Sequence, residues 1–507
     1  MKNTIYYFAC FTSFMLILSA CKKDLGNYNY STLNKVVITE MTPQYIGYTG
    51  KKLTISPKLN MSNGQAFQTE GYNFEWFSVD SNMLDNSKSK TVLGHDAKLD
   101  IVLPLVPSRY ALYYRVTDKE TGYFSEFKAS LQVTSEIADG WLVLNEINNT
   151  ARLDMLAYNQ SSKKYIPYTD IISTMSNLKV VGRPLLVQYT DTRDISNFQS
   201  IARIYIGTDQ HTYSFNNQKY TWDIFQDLKN EVMRPTGNDF HALKFSSTIG
   251  QTYLLDSDGI LNYENITTMT MWGPTLNRLN TGGTIKISPY IADTKSAWWE
   301  NYIVVFDIQN QRFLIHRGSN QALIIPSSSQ PDIFKPEAIG KDLLYLDFAP
   351  IATEQFYALV KNPTTGKINL LRFTANDTEF VLLGDDQLDS SIPIDKADQY
   401  AIDPNYGYLL YSIGNKLYQY DPFNKVNKVI LDLGNRTISR LKYQKSAGWW
   451  QQRYDDLFEN LILCSYDPSQ PNTSGKMELY NIPLNGTPKL TSSYVGFGKI
   501  VDVSYRE

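Results

Sequence analysis

The four histidines, His95, His211, His241 and His316, are the side chains best suited to metal or acid–base chemistry, and no two stand at metal-ligand spacing. No His-Glu-x-x-His, Cys-x-x-Cys, Gly-x-Ser-x-Gly or phosphate-cradling glycine loop occurs. The expectation is no metal, no cofactor and no catalytic residue that can be named. A glycosidase needs two carboxylates across one cleft. The 51 acidic residues allow such a pair, but spacing singles none out. Asp256-Ser257-Asp258-Gly259 opens like a calcium loop, yet lacks the downstream glutamate of an EF-hand. Between two strands it reads as a hairpin turn. Tryptophan offers the better chemistry. Lys295-Ser296-Ala297-Trp298-Trp299-Glu300 and Lys445-Ser446-Ala447-Gly448-Trp449-Trp450-Gln451 resemble each other. In a strand, neighbouring side chains point to opposite faces, so one Trp of each doublet would face outward. An outward Trp can stack on a sugar ring or receive a peptide side chain. Trp272, in Met271-Trp272-Gly273-Pro274, is a third candidate. The alternative is that these indoles are wedges in the core.

Cysteine chemistry is confined to three residues, Cys10, Cys21 and Cys464. Lys2 and the apolar stretch from Ile5 to Leu18 have the charge and length of an export signal, too short to span a bilayer comfortably. Leu18-Ser19-Ala20-Cys21 then resembles the lipobox of bacterial lipoproteins, in which the cysteine is lipidated and becomes the mature N-terminus. Lys22-Lys23-Asp24 resembles the export signal of Bacteroidota lipoproteins sent to the outer leaflet of the outer membrane, though with one acidic residue only. The resemblance implies a lipid-anchored, surface-exposed protein. With Cys10 removed and Cys21 acylated, Cys464 has no partner for an intramolecular disulfide. It lies in Leu461-Ile462-Leu463-Cys464 and reads as a buried small hydrophobe.

Composition sets the elements that must carry these groups. The 507 residues include 36 tyrosines, with 13% aromatic, 42% hydrophobic and 20% charged residues. Tyrosine suits half-exposed pleated surfaces, so the chain reads as all-β. The net charge is −3, and loss of Lys2 with residues 1–20 makes it −4. No basic stripe marks a nucleic-acid partner.

The expected domains are a signal peptide (1–20), a lipidated tether (21–34), a small β-sandwich (35–136) and a repeat domain (137–507). In the third, Tyr72-Asn73-Phe74-Glu75-Trp76-Phe77 alternates strictly. Arg109–Val116 and Phe124–Val133 flank the turn Thr117–Gly122. Strands recur at sandwich spacing. Tyr-Asn-Phe-Glu-Trp followed by Tyr-Arg-Val-Thr-Asp resembles the PKD (polycystic-kidney-disease-type) immunoglobulin-like domain, in which the Trp fills the core and the Asp fixes a late turn. With the lipobox and Asp-Leu-Gly-Asn-Tyr, the arrangement is similar to the PKD-like lipoproteins of Bacteroidota.

From Gly140 onward a strand–turn–strand unit recurs. Units begin near Trp141, Ile201, His241, Tyr302, Leu343, Gln399 and Asn460, about 52 residues apart. That is near the period of a kelch-like β-propeller of about seven blades. Hairpins are expected at Arg203–Gly207 with His211–Asn216, Gln251–Leu255 with Gly259–Tyr263, and Tyr408–Ile413 with Lys416–Tyr420. The last strand, 498–505, is expected to complete the first blade and close the ring. Short helices are expected within 170–195 and 222–236, for example Trp222–Leu228.

The family resemblance implies an accessory surface lipoprotein of a SusC/SusD-type TonB-dependent importer. It would bind a nutrient, glycan or peptide, or pack beside the importer. The other readings are a surface propeller hydrolase or lyase acting on polysaccharide or peptide, marked by paired carboxylates of raised pKa, and a purely structural subunit.

Overall fold

The computed structural model describes residues 34–80, 90–159, 162–193, 200–216, 222, 225–248, 251–265, 272–279, 282–283, 285–294, 302–317, 322–349, 355–376, 378–444 and 457–506. The chain divides into two compact units. The first comprises Met1–Pro104 with Ser108–Val133, and the second Leu105–Pro107 with Thr134–Glu507.

The first unit is built on a five-stranded sheet in the order Gln44–Tyr48, Phe124–Thr134, Ser108–Asp118, Tyr72–Asp80, Lys90–Gly94. Two-stranded ladders join Val36–Thr39 to Lys58–Met61 and Lys52–Ile55 to Leu99–Val102. Alternation drives the core: Tyr110, Leu112, Tyr114 and Val116 are buried along one face of a single strand. Trp76 is fully buried, stacks on Tyr114 at 4.1 Å and donates its indole N–H to the Asp96 carbonyl at 2.9 Å. Asp118 fixes the following turn, its Oδ1 accepting from the amides of Glu120 and Thr121, each at 2.9 Å. Phe77 departs from the expected alternation, because it is buried on the opposite face. It stacks on Tyr113 at 4.9 Å, and the Lys90 ammonium lies 4.2 Å from its ring centre.

The second unit has seven successive sheets among its described residues. The first sheet runs Lys164–Tyr168, Thr150–Asn159, Gly140–Ile147, Lys499–Arg506, so its last strand comes from the far end of the chain. The second to seventh are led by Pro184–Arg193, Ala242–Thr248, Ile287–Asp293, Asp342–Ala349, Gln399–Ile402 and Thr437–Lys442, and each continues as an antiparallel meander, to which the fifth adds Ser327–Ser328 in parallel beside Glu379–Gln387. These six leading strands neighbour one another in sequence order, and Lys499–Arg506 neighbours both Thr437–Lys442 and Pro184–Arg193. The architecture is therefore all-β and propeller-like. The expected hairpins form in register. The final strand pairs with Gly140–Ile147 from Gly140↔Arg506 to Glu146↔Lys499. Where the chain crosses into this strand, backbones touch: a Cβ on Gly475 would sit 1.7 Å from the Gly498 carbonyl oxygen.

Among the described residues, seven apolar clusters lie between successive sheets. One joins Leu142 and Met155 of the first sheet to Val187 and Ile204 of the second. The one that ends the series joins Ile462 and Cys464 of the seventh to Val143 and Val503 of the first. Second strands serve two clusters at once. Ile303 and Val305 face one neighbour, while Val304 and Phe306 face the other. A strand covered on both sides reads as one continuous apolar run.

A helix forms at Ile171–Met175, capped by the Asp170 side chain. The stretch expected as helical at 222–228 instead contains strand Phe225–Asp227 and a 3-10 turn, Leu228–Asn230. Phe225 pairs with Phe215, and Trp222 is buried in the adjoining cluster. Sheet pairing outweighs the local helical pattern.

Candidate functional site

The leading strands share a defect. In five of the six leading strands, and in Lys499–Arg506, extra residues interrupt the ladder: at Leu185, Leu243, within Ser288–Tyr290, at Leu344, Ser439 and Val501. A bulge bends the strand and re-aims the side chains that follow. Those side chains include Lys244, Tyr345, Arg440 and Asp502, with Asp347, Lys442 and Ser504 two residues further on. Polar and charged groups from successive sheets are thereby gathered along the innermost strands.

Asp502 is the centre of this group. Its Oδ1 lies 3.0 Å from Arg440 Nε and 3.2 Å from Lys442 Nζ, and its Oδ2 accepts from the Val187 amide at 3.2 Å. Lys442 also donates to the Val503 carbonyl at 2.7 Å. Arg440 Nη1 reaches Gln399 Oε1 at 3.4 Å. Beside Arg440, the Tyr345 hydroxyl donates to Asp347 Oδ2 at 2.9 Å. Tyr290, Tyr345 and Tyr400 come from three successive leading strands. Tyr345 meets Tyr290 edge-on at 5.4 Å and stacks on Tyr400 at 5.1 Å.

Burial would raise the Asp502 carboxyl, but Arg440 and Lys442 overcome it and hold the group below its usual range. Lys442 goes the other way. Burial lowers its ammonium to about 8, with Arg440 and Lys244 adding to the effect and Asp502 opposing it. Two cations therefore share one deeply buried carboxylate, with the field of a third, Lys244, felt by both partners. Arg440 and Lys442 keep 28% and 19% of their side-chain surface, whereas Asp502 keeps 5%. Lys244 is exposed. Arg440 and Lys442 thus keep more exposed side-chain surface than the carboxylate they share.

These residues were not among the candidates read from the sequence. Ser439-Arg440-Leu441-Lys442 does place two cations at alternate positions of a strand, and Val501-Asp502-Val503-Ser504 has the same rhythm. Nothing local says that the two strands, 60 residues apart, are neighbours.

Trp298, Trp299, Trp449 and Trp450 lie outside the described residues, as do Cys21, Lys22, Lys23 and Asp24. Trp272 is corrected from a ligand candidate to a core residue. It is fully buried between Tyr205 and Phe245, at ring distances of 6.3 and 5.8 Å. Trp272→Ala should cost about 3–5 kcal/mol in a urea melt while leaving the affinity of any axial ligand unchanged. Cys464 is fully buried, and burial pushes its thiol pKa up. The Asp256 turn uses its own carboxylate. Oδ1 accepts from the amides of Asp258 and Ile260, while Oδ2 is held by Arg234 at 2.6 Å and Asn262 at 2.7 Å. Among the described residues no cluster of three or more His, Cys, Asp or Glu could hold a metal ion.

Burial raises the carboxyls of Asp154, Glu231, Asp256, Glu264 and Asp403, and of these Glu231 and Glu264 share the field of Arg203. Burial lifts both Glu231 and Glu264, against the pull of Arg203. Arg203 binds Glu264 at 2.7 Å, and the Ser214 hydroxyl donates to Glu231. Glu231 is buried. Both groups are held by neighbouring strands, which is the arrangement of an internal polar network.

Residues 21–184 match the PKD-like family model. The match begins at Cys21 and covers the whole first unit after it, together with the start of the second. No curated protein matches the chain. Similar solved structures include a quinonprotein alcohol dehydrogenase-like protein from Bacteroides thetaiotaomicron VPI-5482. It is 12% identical, with 92% of this chain and 97% of that chain covered and a TM-score of 0.40. A protein from Lactobacillus plantarum is 12% identical over 73% of this chain and 100% of its own, with a TM-score of 0.44. Apo AztD from Citrobacter koseri is 10% identical over 86% and 98%, with a TM-score of 0.36.

Proposed function

We propose that the chain is a lipoprotein of the outer membrane, anchored through Cys21 and exposed at the cell surface. In this reading it is a non-enzymatic accessory component of a SusC/SusD-like TonB-dependent uptake system and binds a glycan or peptide nutrient. The first unit is an immunoglobulin-like sandwich that serves as a spacer. The second is a seven-bladed propeller whose axis carries the recognition groups.

The observation that carries this reading is the junction at Cys21. The lipobox run ends there, Lys22-Lys23-Asp24 follows, and the PKD-like match starts at the same residue. The axial cluster supports binding rather than turnover. Asp502 is engaged by two cations and one amide, so it is poorly placed to act as a base. Several acyl chains, at about 0.8 kcal/mol per buried methylene, would hold the protein on the membrane.

The test is metabolic labelling with an alkyne fatty acid in the native host, combined with surface proteolysis of intact cells and affinity purification. Label on the wild type, none on Cys21→Ser, protease sensitivity from outside and co-purification of an importer pair are the expected results. An unlabelled wild-type chain would end the anchoring claim. A labelled chain without importer subunits would end the accessory claim.

A further inference from the structure

The passage of the chain from the second sheet to the third is pinned at a few buried points. After Phe225–Asp227 it makes the 3-10 turn Leu228–Asn230 and runs to Phe240, just before the strand Ala242–Thr248. Leu228, Val232 and Phe240 are buried in the apolar seam beside Tyr205, Phe245 and Trp272. Between these plugs Met233, Pro235, Gly237, Asn238 and Asp239 are exposed. The Met233 amide ties the segment to the third sheet by donating to the Trp272 carbonyl at 3.1 Å. A segment so lightly held belongs to the low-stability end of a fold.

Glu231 closes the turn and is buried, with 8% of its surface exposed. Its carboxyl meets the Ser214 hydroxyl of the second sheet. Arg203, of the same sheet, gives Nη1 to Glu264 Oε1 of the third sheet at 2.7 Å and to the Tyr205 hydroxyl at 3.4 Å. The guanidinium is therefore bonded to Glu264 and reaches Glu231 through its field. Asp227 adds like charge, and is itself held by His211 Nδ1 at 3.1 Å and Lys229 Nζ at 3.6 Å. Arg234, further along the segment, is bonded to Asp256 at 2.6 Å and Asp258 at 2.9 Å. Glu231 and Glu264 thus share one guanidinium, so ionising both leaves a net negative charge in a buried site. A proton on Glu231 removes that charge, and the acid can donate to the hydroxyl oxygen of Ser214.

We propose that Glu231 is a proton latch: protonated, it clamps residues 228–240 into the seam between the second and third sheets, and ionised, it releases that segment while the sheets stay folded. The latch depends neither on lipid anchoring nor on a ligand. Its sign follows from the charges. Burial, with Glu264 and Asp227 adding to it, favours the acid form in the folded chain above the ordinary value of 4.5. The stability it contributes is therefore complete below that value and is lost as pH rises through the raised one.

Hydrogen exchange of the full chain at about pH 5 and about pH 7.5, with intrinsic rates divided out, tests the latch. Protection of residues 228–240 should fall about five-fold or more at the higher pH, while Ser200–Thr208 and Gln251–Asp256 keep theirs. Glu231→Gln, which keeps a polar group of the same shape without the charge, should hold the low-pH protection at both values. Glu264→Gln frees Arg203 for Glu231 and should shrink the fall. Unchanged protection in the wild type overturns the proposal. So does a fall that persists in Glu231→Gln, which would assign the effect to the His211 and Asp227 pair, or a fall spread equally over both sheets. Should Glu231→Gln not fold, the Glu264→Gln profile still decides, because an undiminished fall there contradicts the shared guanidinium.

Discussion

Deleting residues 499–507 should leave the second unit without a cooperative thermal transition. The strand Lys499–Arg506 supplies one edge of the first sheet, and its side chains enter the cluster shared with the seventh. Ile500, Val503 and Tyr505 are all almost fully buried. At roughly 1.5–3 kcal/mol for each buried apolar side chain, their loss alone reaches about 5–9 kcal/mol. That is comparable with the whole stability of an ordinary domain, about 5–15 kcal/mol. The deletion also removes Asp502 and Ser504, which accept the amides of Val187 and Tyr189 and so tie the first sheet to the second. Two sheet faces would be opened to water at once. Circular dichroism and limited proteolysis of the truncated chain are the measurements. A sharp melt at the wild-type temperature would show that the final strand is dispensable. The first unit, with its own core around Trp76, should survive as a protease-resistant fragment.

Asp502→Ala should destabilise the second unit by about 3–5 kcal/mol, the usual cost of removing one partner from a buried ion pair. The reason is the charge left behind. Arg440 and Lys442 would lose the carboxylate they share, in a site where burial already pulls the Lys442 ammonium down to about 8. Combining Asp502→Ala with Arg440→Met and Lys442→Met should recover most of the loss, because the uncompensated charges go together. Urea midpoints for the single and triple variants, read at one pH and salt concentration, decide the matter. A single variant within about 0.5 kcal/mol of wild type would mean that solvent screens the cluster, and the account of the axial electrostatics would fail.

Much of the scaffold was legible because burial on both sides leaves a mark in the chain. Ile204–Ile206, Ile303–Phe306 and Leu461–Cys464 read as continuous apolar runs, and each falls in a second strand packed between two clusters. The leading strands were harder to see. Pro184–Arg193, Ile287–Asp293 and Thr437–Lys442 carry polar groups on one side and an extra residue in the ladder, which breaks the period-two pattern. For that reason the repeat starts read near Ile201, Tyr302 and Asn460 fall on or just before second strands, while those near His241, Leu343 and Gln399 fall at leading ones. The Asp256 turn was legible as a turn. Its Oδ1 accepts the amides of Asp258 and Ile260, a wholly local interaction.

Trp272 shows the limit from the other side. A tryptophan beside Gly and Pro looks exposed in a linear reading, and only the approach of Tyr205 and Phe245 from another sheet and strand makes it core. The axial group is the same problem with charges. Lys244, Asp347, Arg440 and Asp502 come from four different sheets, and no spacing in the chain links them.

By itself the order of residues determined what short-range forces decide: strand rhythm, hairpin turns, the Trp76 core and an all-β composition. The tertiary structure alone decided which strand ends meet. Bulges turned particular side chains toward the axis, and the last strand brought Asp502 to Arg440 and Lys442. Pairing energies between distant strands depend on the whole set of sheets, so they leave no signature in any one segment.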